Sequence, residues 1–278
     1  MRCNEVAKAA RMILGVATLL GFFVACGSNS SDEVGARKLS VFAAVSLSEA
    51  FADISKEFER DNPGISVELQ LAGSQRLRTQ LEHGAQGDLF ASADWKQMDL
   101  AKSAGMLNGK PVIFATNRLA VIVPNSRPAE ILNTMEDLGN PGVKLAMALA
   151  EVPAGGYTRQ MIAKLENAGT SRNGQLSSRI MANVVTLESS VKGVAAKVVL
   201  GEVDAGVVYF TDASAAGVGE RVRTIPIPEE VNVVATFPLA PLHEAGEPDL
   251  AADFIDLVLS PTGRRLLKSH GFGLPSSQ

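Results

Sequence analysis

From Lys38 onward the chain repeatedly sets a short apolar run against a segment of helical periodicity, and this alternation restricts it to an α/β fold with largely parallel sheets. Residues 39–44 read as a strand, after which Leu47, Ala50, Phe51, Ile54 and Phe58 share one helical face. That helix is expected to stop before Asn62-Pro63-Gly64. Residues 65–71 alternate as a strand should, and Ala72-Gly73-Ser74 leads into a helix holding Leu77 and Leu81. After a turn at Gly84, residues 88–93 form another strand, with Asp94 placed to cap the next helix and Gln97 to reach back as its capping-box partner.

Two further units come after these. Residues 144–148 form a strand leading through Glu151-Val-Pro-Ala-Gly-Gly-Tyr into a helix with Met161, Ile162 and Leu165. Residues 184–187 form a strand leading through Glu188-Ser-Ser into a helix whose Val191, Val194, Ala195, Val198 and Val199 repeat at i, i+3, i+4, i+7 and i+8, with Gly201 ending it. Residues 205–210 supply the next strand, with Thr211 and Asp212 placed to cap the element after it. Residues 117–124 and 232–238 are strands belonging to neither half. Two such crossings imply two lobes joined by two hinge strands with a cleft between: lobe one from residues 38–117 and 232–278, lobe two from 118–231.

The amino terminus has a different character. Arg2, Lys8 and Arg11 precede an apolar run over residues 12–24, too short for a membrane span of roughly 20 residues, so it reads as a secretion signal. The run ends Phe23-Val24-Ala25-Cys26-Gly27, which resembles the bacterial lipoprotein cleavage box, where the cysteine receives the lipid. The expectation is a signal over residues 1–25, lipidation at Cys26, a small polar tether over 26–37, and an extracytoplasmic protein held to the membrane by lipid alone. With Cys3 lost and Cys26 lipidated, the folded body has no disulfide or thiolate chemistry. Removing the signal leaves 23 basic against 29 acidic residues, a net charge of −6, which argues against nucleic acid and anionic membrane as partners.

The strand-to-helix junctions carry the candidate chemistry. A helix start exposes backbone N–H groups without partners and a partial positive charge, and a small residue lets an anion reach both. Ser46, Ser74, Ala154-Gly155-Gly156 and Ser190-Val191 are four such neutral junctions, two from each lobe. Any single serine there is most simply a cap; convergence of four favours a ligand. Donors without a counter-cation suit a fully deprotonated ion, whereas phosphate near pH 7 keeps a proton that a donor-only cleft leaves unmatched.

The segments FAAVSLSEAF, LAGSQRLRTQLEHGAQGDLFASADWKQMD, EVPAGGYTRQ and VVYFTDA, in this order and spacing over nearly the whole body, resemble the molybdate-binding proteins of bacterial ABC transporters. The resemblance implies a type II periplasmic-binding-protein fold and a tetrahedral oxyanion, molybdate or tungstate, held by Ser46, Ser74, Ala154, Val191 and Tyr209. Ala154 and Val191 would act through their N–H groups, and Tyr209 through its phenol unless it is a core aromatic. Glu188-Ser189-Ser190 departs from the acidic pair many relatives carry before the valine. The resemblance further implies a monomer that delivers its ion to an ABC permease, with no cofactor and no metal bound except as the oxyanion.

Other constellations are weaker. His83, His243 and His270 lack ligand spacing, and Tyr157 reads as packing in the first turn of its helix. The chain has no G-x-S-x-G elbow, and VPAGGY lacks the Lys-Ser/Thr of a phosphate loop, so the reading is not an enzyme. A sulfate or other oxyanion binder, a hydrolase using Ser46 or Ser74, and a ligand sensor stay open as alternatives.

Overall fold

The computed structural model describes residues 37–127, 132–167 and 175–275. The expectations for the signal, Cys26 and the tether as far as residue 36 fall outside the described residues. Among the described residues no helix is long and apolar enough to cross a membrane.

The first unit runs β1 (Arg37–Ala44), a 3₁₀ turn (Val45–Leu47), α1 (Ser48–Asp61), β2 (Ile65–Ala72), α2 (Ser74–Glu82), β3 (Leu89–Ala91), α3 (Trp95–Ser103) and β4 (Val112–Pro124). It is followed by β5 (Leu145–Ala148), α4 (Pro153–Asn167), α5 (Leu176–Ala182), β6 (Val184–Glu188), α6 (Val191–Val199), β7 (Ala205–Tyr209), α7 (Phe210–Ser214) and β8 (Val222–Ile225). The chain closes with β9 (Val234–Pro241), α8 (Pro248–Leu259) and α9 (Pro261–Ser269). β1 begins at Arg37, one residue before the expected start of order. Helix α1 stops where Asn62-Pro63-Gly64 requires it, with Asn62 at its C-cap and Gly64 at φ 89°.

The strands run in the order β2-β1-β3-β9-β4-β7-β5-β6, with β8 also on β4. The expectation of largely parallel sheets needs correction. β1–β2, β1–β3, β5–β6 and β5–β7 are parallel, but β3–β9, β4–β9, β4–β7 and β4–β8 are antiparallel. The cause is the pair of crossing strands, which run in opposite directions and so bring antiparallel neighbours into the middle of each half.

β4 changes partner along its length. Its residues up to Arg118 pair with β9, and from Leu119 onward with β7 and then β8. Two asparagines stabilise this change. Asn232 Oδ1 accepts from Leu119 N–H at 3.1 Å and its Nδ2 donates to Leu119 O at 3.0 Å, replacing the missing strand neighbour. Asn117 Nδ2 donates to Thr211 Oγ1 at 2.9 Å. Together these elements form a two-lobe α/β fold.

The helical stripe read from the sequence is the buried one: Leu47, Ala50, Phe51, Ile54 and Phe58 are all within the core. A run of ring contacts, Phe58–Phe254–Phe51–Phe114–Phe237–Tyr209, extends from α1 and α8 to the end of β7 at centroid distances of 5.4 to 6.5 Å. Each such pair contributes roughly 0.5–1.5 kcal/mol beyond burial. Their consequence for the site is that the Tyr209 ring is fixed.

Candidate functional site: a chamber at four helix starts

Four strands end at the same place, and the element after each begins there. The 3₁₀ turn after β1 has no side-chain cap at Ala44, which leaves the N–H groups of Val45 and Ser46 unmatched by its i to i+3 pattern. Helix α2 likewise has no side-chain cap; Arg76 and Leu77 donate to Gly73 O, leaving Ser74 and Gln75. In α4 Pro153 has no N–H and Gly156 donates to Val152 O, leaving Ala154 and Gly155. In α6 Ser190 Oγ caps Gly193 N–H at 3.2 Å, leaving Val191 and Lys192.

The structure brings Ser46, Ser74, Ala154, Val191 and Tyr209 around one chamber, completed by Ala44, Val45, Gly73, Ala93, Val152 and Pro153. No lining residue is charged. The space these residues leave between them is small. Tight packing produces this size. A Cβ on Gly155 would lie 1.9 Å from Leu149 O, so only glycine lets α4 begin against the end of β5.

Three hydroxyls belong to this lining. Ser74 is buried, and its Oγ accepts from Ala93 N–H at 3.0 Å, so one lone pair is occupied and its proton is left for the chamber. Ser46 is also buried. Tyr209 is 1% exposed, its ring packs on Phe237 at 5.6 Å, and its hydroxyl has no partner among the described residues. An orphaned buried hydroxyl is rare enough to require a cause, and an acceptor bound beside it would supply one. Burial, with the nearby Tyr157, Asp94 and Asp212, pushes the Tyr209 phenol well above its ordinary value, so it keeps its proton.

The surroundings correct some sequence expectations. Asp94 does cap α3, accepting from Gln97 N–H at 2.9 Å, but Gln97 does not reach back to it. Its Oε1 accepts from Arg78 at 2.8 Å and its Nε2 donates across the cleft to Glu151 O at 3.1 Å. Thr211 and Asp212 do not occupy the N-cap of α7, because β7 runs straight into that helix and Tyr209 takes that position; Asp212, in the first turn, accepts from the Tyr209 backbone N–H. Asp212 is buried, with Oδ2 unpartnered, and burial pushes its carboxyl up to about 7. Tyr157 is half-buried, and burial followed by the charge of Asp94 pushes its phenol up to about 12. His270 Nε2 lies 2.9 Å from Asp53 Oδ2. Among the described residues no cluster of three or more His, Cys, Asp or Glu side chains is placed to hold a metal ion.

Two more side chains cross the cleft. Gln75 Nε2 donates to Ser189 O at 3.0 Å, and Lys192 reaches Ser48 Oγ at 2.6 Å and the Glu49 carboxylate. Nothing in the sequence pattern pairs these residues, which lie more than 100 positions apart.

Strand ends and helix starts meeting around a small pocket lined without charge, with backbone donors left at those helix starts, suit a small solute. The chain belongs to the bacterial extracellular solute-binding protein family, whose model matches residues 39–273. It is 39% identical over 265 residues to the molybdate-binding protein ModA of Mycobacterium tuberculosis, covering 93% of this chain and 95% of that one. It is 31% identical to the molybdate-binding protein ModA of Escherichia coli, covering 90% and 93%. Among solved structures, the Azotobacter vinelandii periplasmic molybdate-binding protein shares the fold at TM-score 0.71 and 19% identity, over 86% of this chain and 100% of that chain. The sulfate-binding protein SubI of Mycobacterium tuberculosis shares it at TM-score 0.76 and 16% identity, over 85% and 86%.

Proposed function

We propose that this protein captures molybdate or tungstate outside the cytoplasmic membrane and delivers it to an ABC permease whose ATPase is a separate chain. The lobes are residues 38–117 with 232–278, and 118–231; a lipid on Cys26 keeps the binder near the permease. The ion occupies the chamber, taking hydrogen bonds from the hydroxyls of Ser46, Ser74 and Tyr209 and from the N–H groups of Ala154 and Val191. The observation that carries this reading is the orphaned Tyr209 hydroxyl in a chamber lined without charge.

The donors determine the selectivity. Hydrogen bonds to a charged group contribute roughly 1.5–3 kcal/mol each, so a handful suffices for micromolar to nanomolar affinity after the losses of ordering. Donors from both lobes are satisfied together only by an ion of matching radius. Sulfate, smaller at the same charge, leaves some bonds long. Phosphate near pH 7 brings a proton for which the lining offers no carboxylate acceptor.

Calorimetric titration with molybdate, tungstate, sulfate and phosphate in parallel tests the assignment. Molybdate and tungstate are expected to bind at micromolar Kd or tighter, sulfate more weakly, and phosphate without measurable heat. Preference for sulfate would replace the metal-oxyanion reading by that of a sulfate binder.

A further inference from the structure

We infer that Lys192, which does not line the chamber, is a positioning residue that locks the two lobes over the bound ion by clasping Ser48 and Glu49. The inference rests on the oxyanion reading above and adds an affinity determinant outside the ligand contacts.

Lys192 sits at the second position of α6, directly after Val191. A cation in the first turn of a helix opposes the helix dipole, so its place there requires compensation. Compensation comes from the other side of the cleft. Lys192 Nζ donates to Ser48 Oγ at 2.6 Å and to the Glu49 carboxylate, and Ser48 Oγ donates to Glu49 Oε2 at 2.7 Å. The three groups form a closed ring of hydrogen bonds in which Glu49 occupies the first turn of α1, where the dipole favours an anion. Partial burial alone would raise the Glu49 carboxyl, but the bonds from Lys192 and Ser48 outweigh it and hold the group below its ordinary value.

The clasp joins the chain beside Val191 to the chain just past Ser46, so it fixes the spacing between donors from opposite lobes. It also pairs a cation whose residue directly follows Val191 of the chamber lining. With the ammonium committed to Glu49, the lining stays neutral and selection by shape is preserved. Losing Lys192 has two effects: the lobes part more readily, and an unpaired carboxylate is left near the entering dianion. The side chains of Lys192 and Glu49 are 33% and 45% exposed, so the pair belongs with modest, partly screened interactions. Lys192→Met is therefore expected to weaken molybdate binding about two- to fivefold, mostly through faster dissociation.

Two measurements decide it. The first uses the full chain with Cys3 and Cys26 replaced by Ser and spin labels on Ser103→Cys and Ser178→Cys, both exposed positions on opposite lobes. Without ion, Lys192→Met should shift the inter-lobe distance distribution to longer values than wild type. The second is stopped-flow dissociation of molybdate from wild type, Lys192→Met, Lys192→Glu, and the exchanged pair Lys192→Glu with Glu49→Lys. Lys192→Glu should release the ion fastest, and the exchanged pair should recover most of that loss, which a merely structural role would not produce. An unchanged distance distribution together with no recovery in the exchanged pair overturns the clasp. Wild-type protein that fails to bind molybdate defeats the ligand assignment instead, and the distance measurement still decides the clasp.

Discussion

Tyr209→Phe is expected to make the ion-free protein more stable while it weakens molybdate binding between about tenfold and 150-fold. The two effects have one cause. The Tyr209 hydroxyl is buried with no partner among the described residues, and an unsatisfied buried polar group costs about 1–3 kcal/mol. Phenylalanine removes that cost and keeps the ring against Phe237. With the ion present the same hydroxyl is a donor to a charged acceptor, and its loss removes roughly 1.5–3 kcal/mol of binding. Thermal unfolding without ligand and calorimetry with molybdate, run on both proteins, check the pair of signs. A tyrosine serving only the core would give small changes in affinity, so equal Kd values would return Tyr209 to a packing role.

The second large effect addresses the backbone. Val191→Pro is expected to leave the fold intact and weaken molybdate binding by a comparable factor, at least about tenfold. Val191 is the first residue of α6, and proline is well suited to that position because its φ is already helical and no intrahelical bond uses that N–H. The preceding residue must be extended, as Ser190 already is at φ −152° and ψ 158°. The Ser190 cap on Gly193 N–H is retained. The substitution deletes the backbone donor that the proposed site assigns to the ion. Val191→Ala, which keeps the N–H, should bind nearly as wild type does. If proline and alanine variants bind alike, the amide is not a ligand contact.

The parts of this molecule that repeat locally were legible in the sequence. The stripe Leu47, Ala50, Phe51, Ile54 and Phe58 becomes the buried face of α1, and Asn62-Pro63-Gly64 ends that helix. Short strands running into helices at small residues marked all four helix starts that meet at the chamber. Because a helix start is defined by nearby residues, its free N–H groups are a local property and can be read locally.

Features that depend on which distant segments meet escaped the sequence. Gln97 stands where a capping-box partner would, yet its amide bridges Arg78 and Glu151 O. Thr211-Asp212 looks like a cap, but the absence of any linker between β7 and α7 moves both residues inside the helix. The antiparallel pairings of β4 and β9 arise from the chain crossing between lobes, a feature that period-2 patterning does not encode. Lys192, Gln75 and Asp212 acquire their roles only from neighbours brought to them by the closed cleft or by burial.

The central claim is that uncharged donors alone hold the ion, and a crystal structure of the protein grown with molybdate tests it most directly. The ion is expected inside the chamber, its oxygens about 2.7–3.1 Å from the hydroxyls of Ser46, Ser74 and Tyr209 and from the backbone nitrogens of Ala154 and Val191, with Lys192 still on Glu49. An ion seated against a lysine or arginine side chain, or bound outside the space between the lobes, would contradict it.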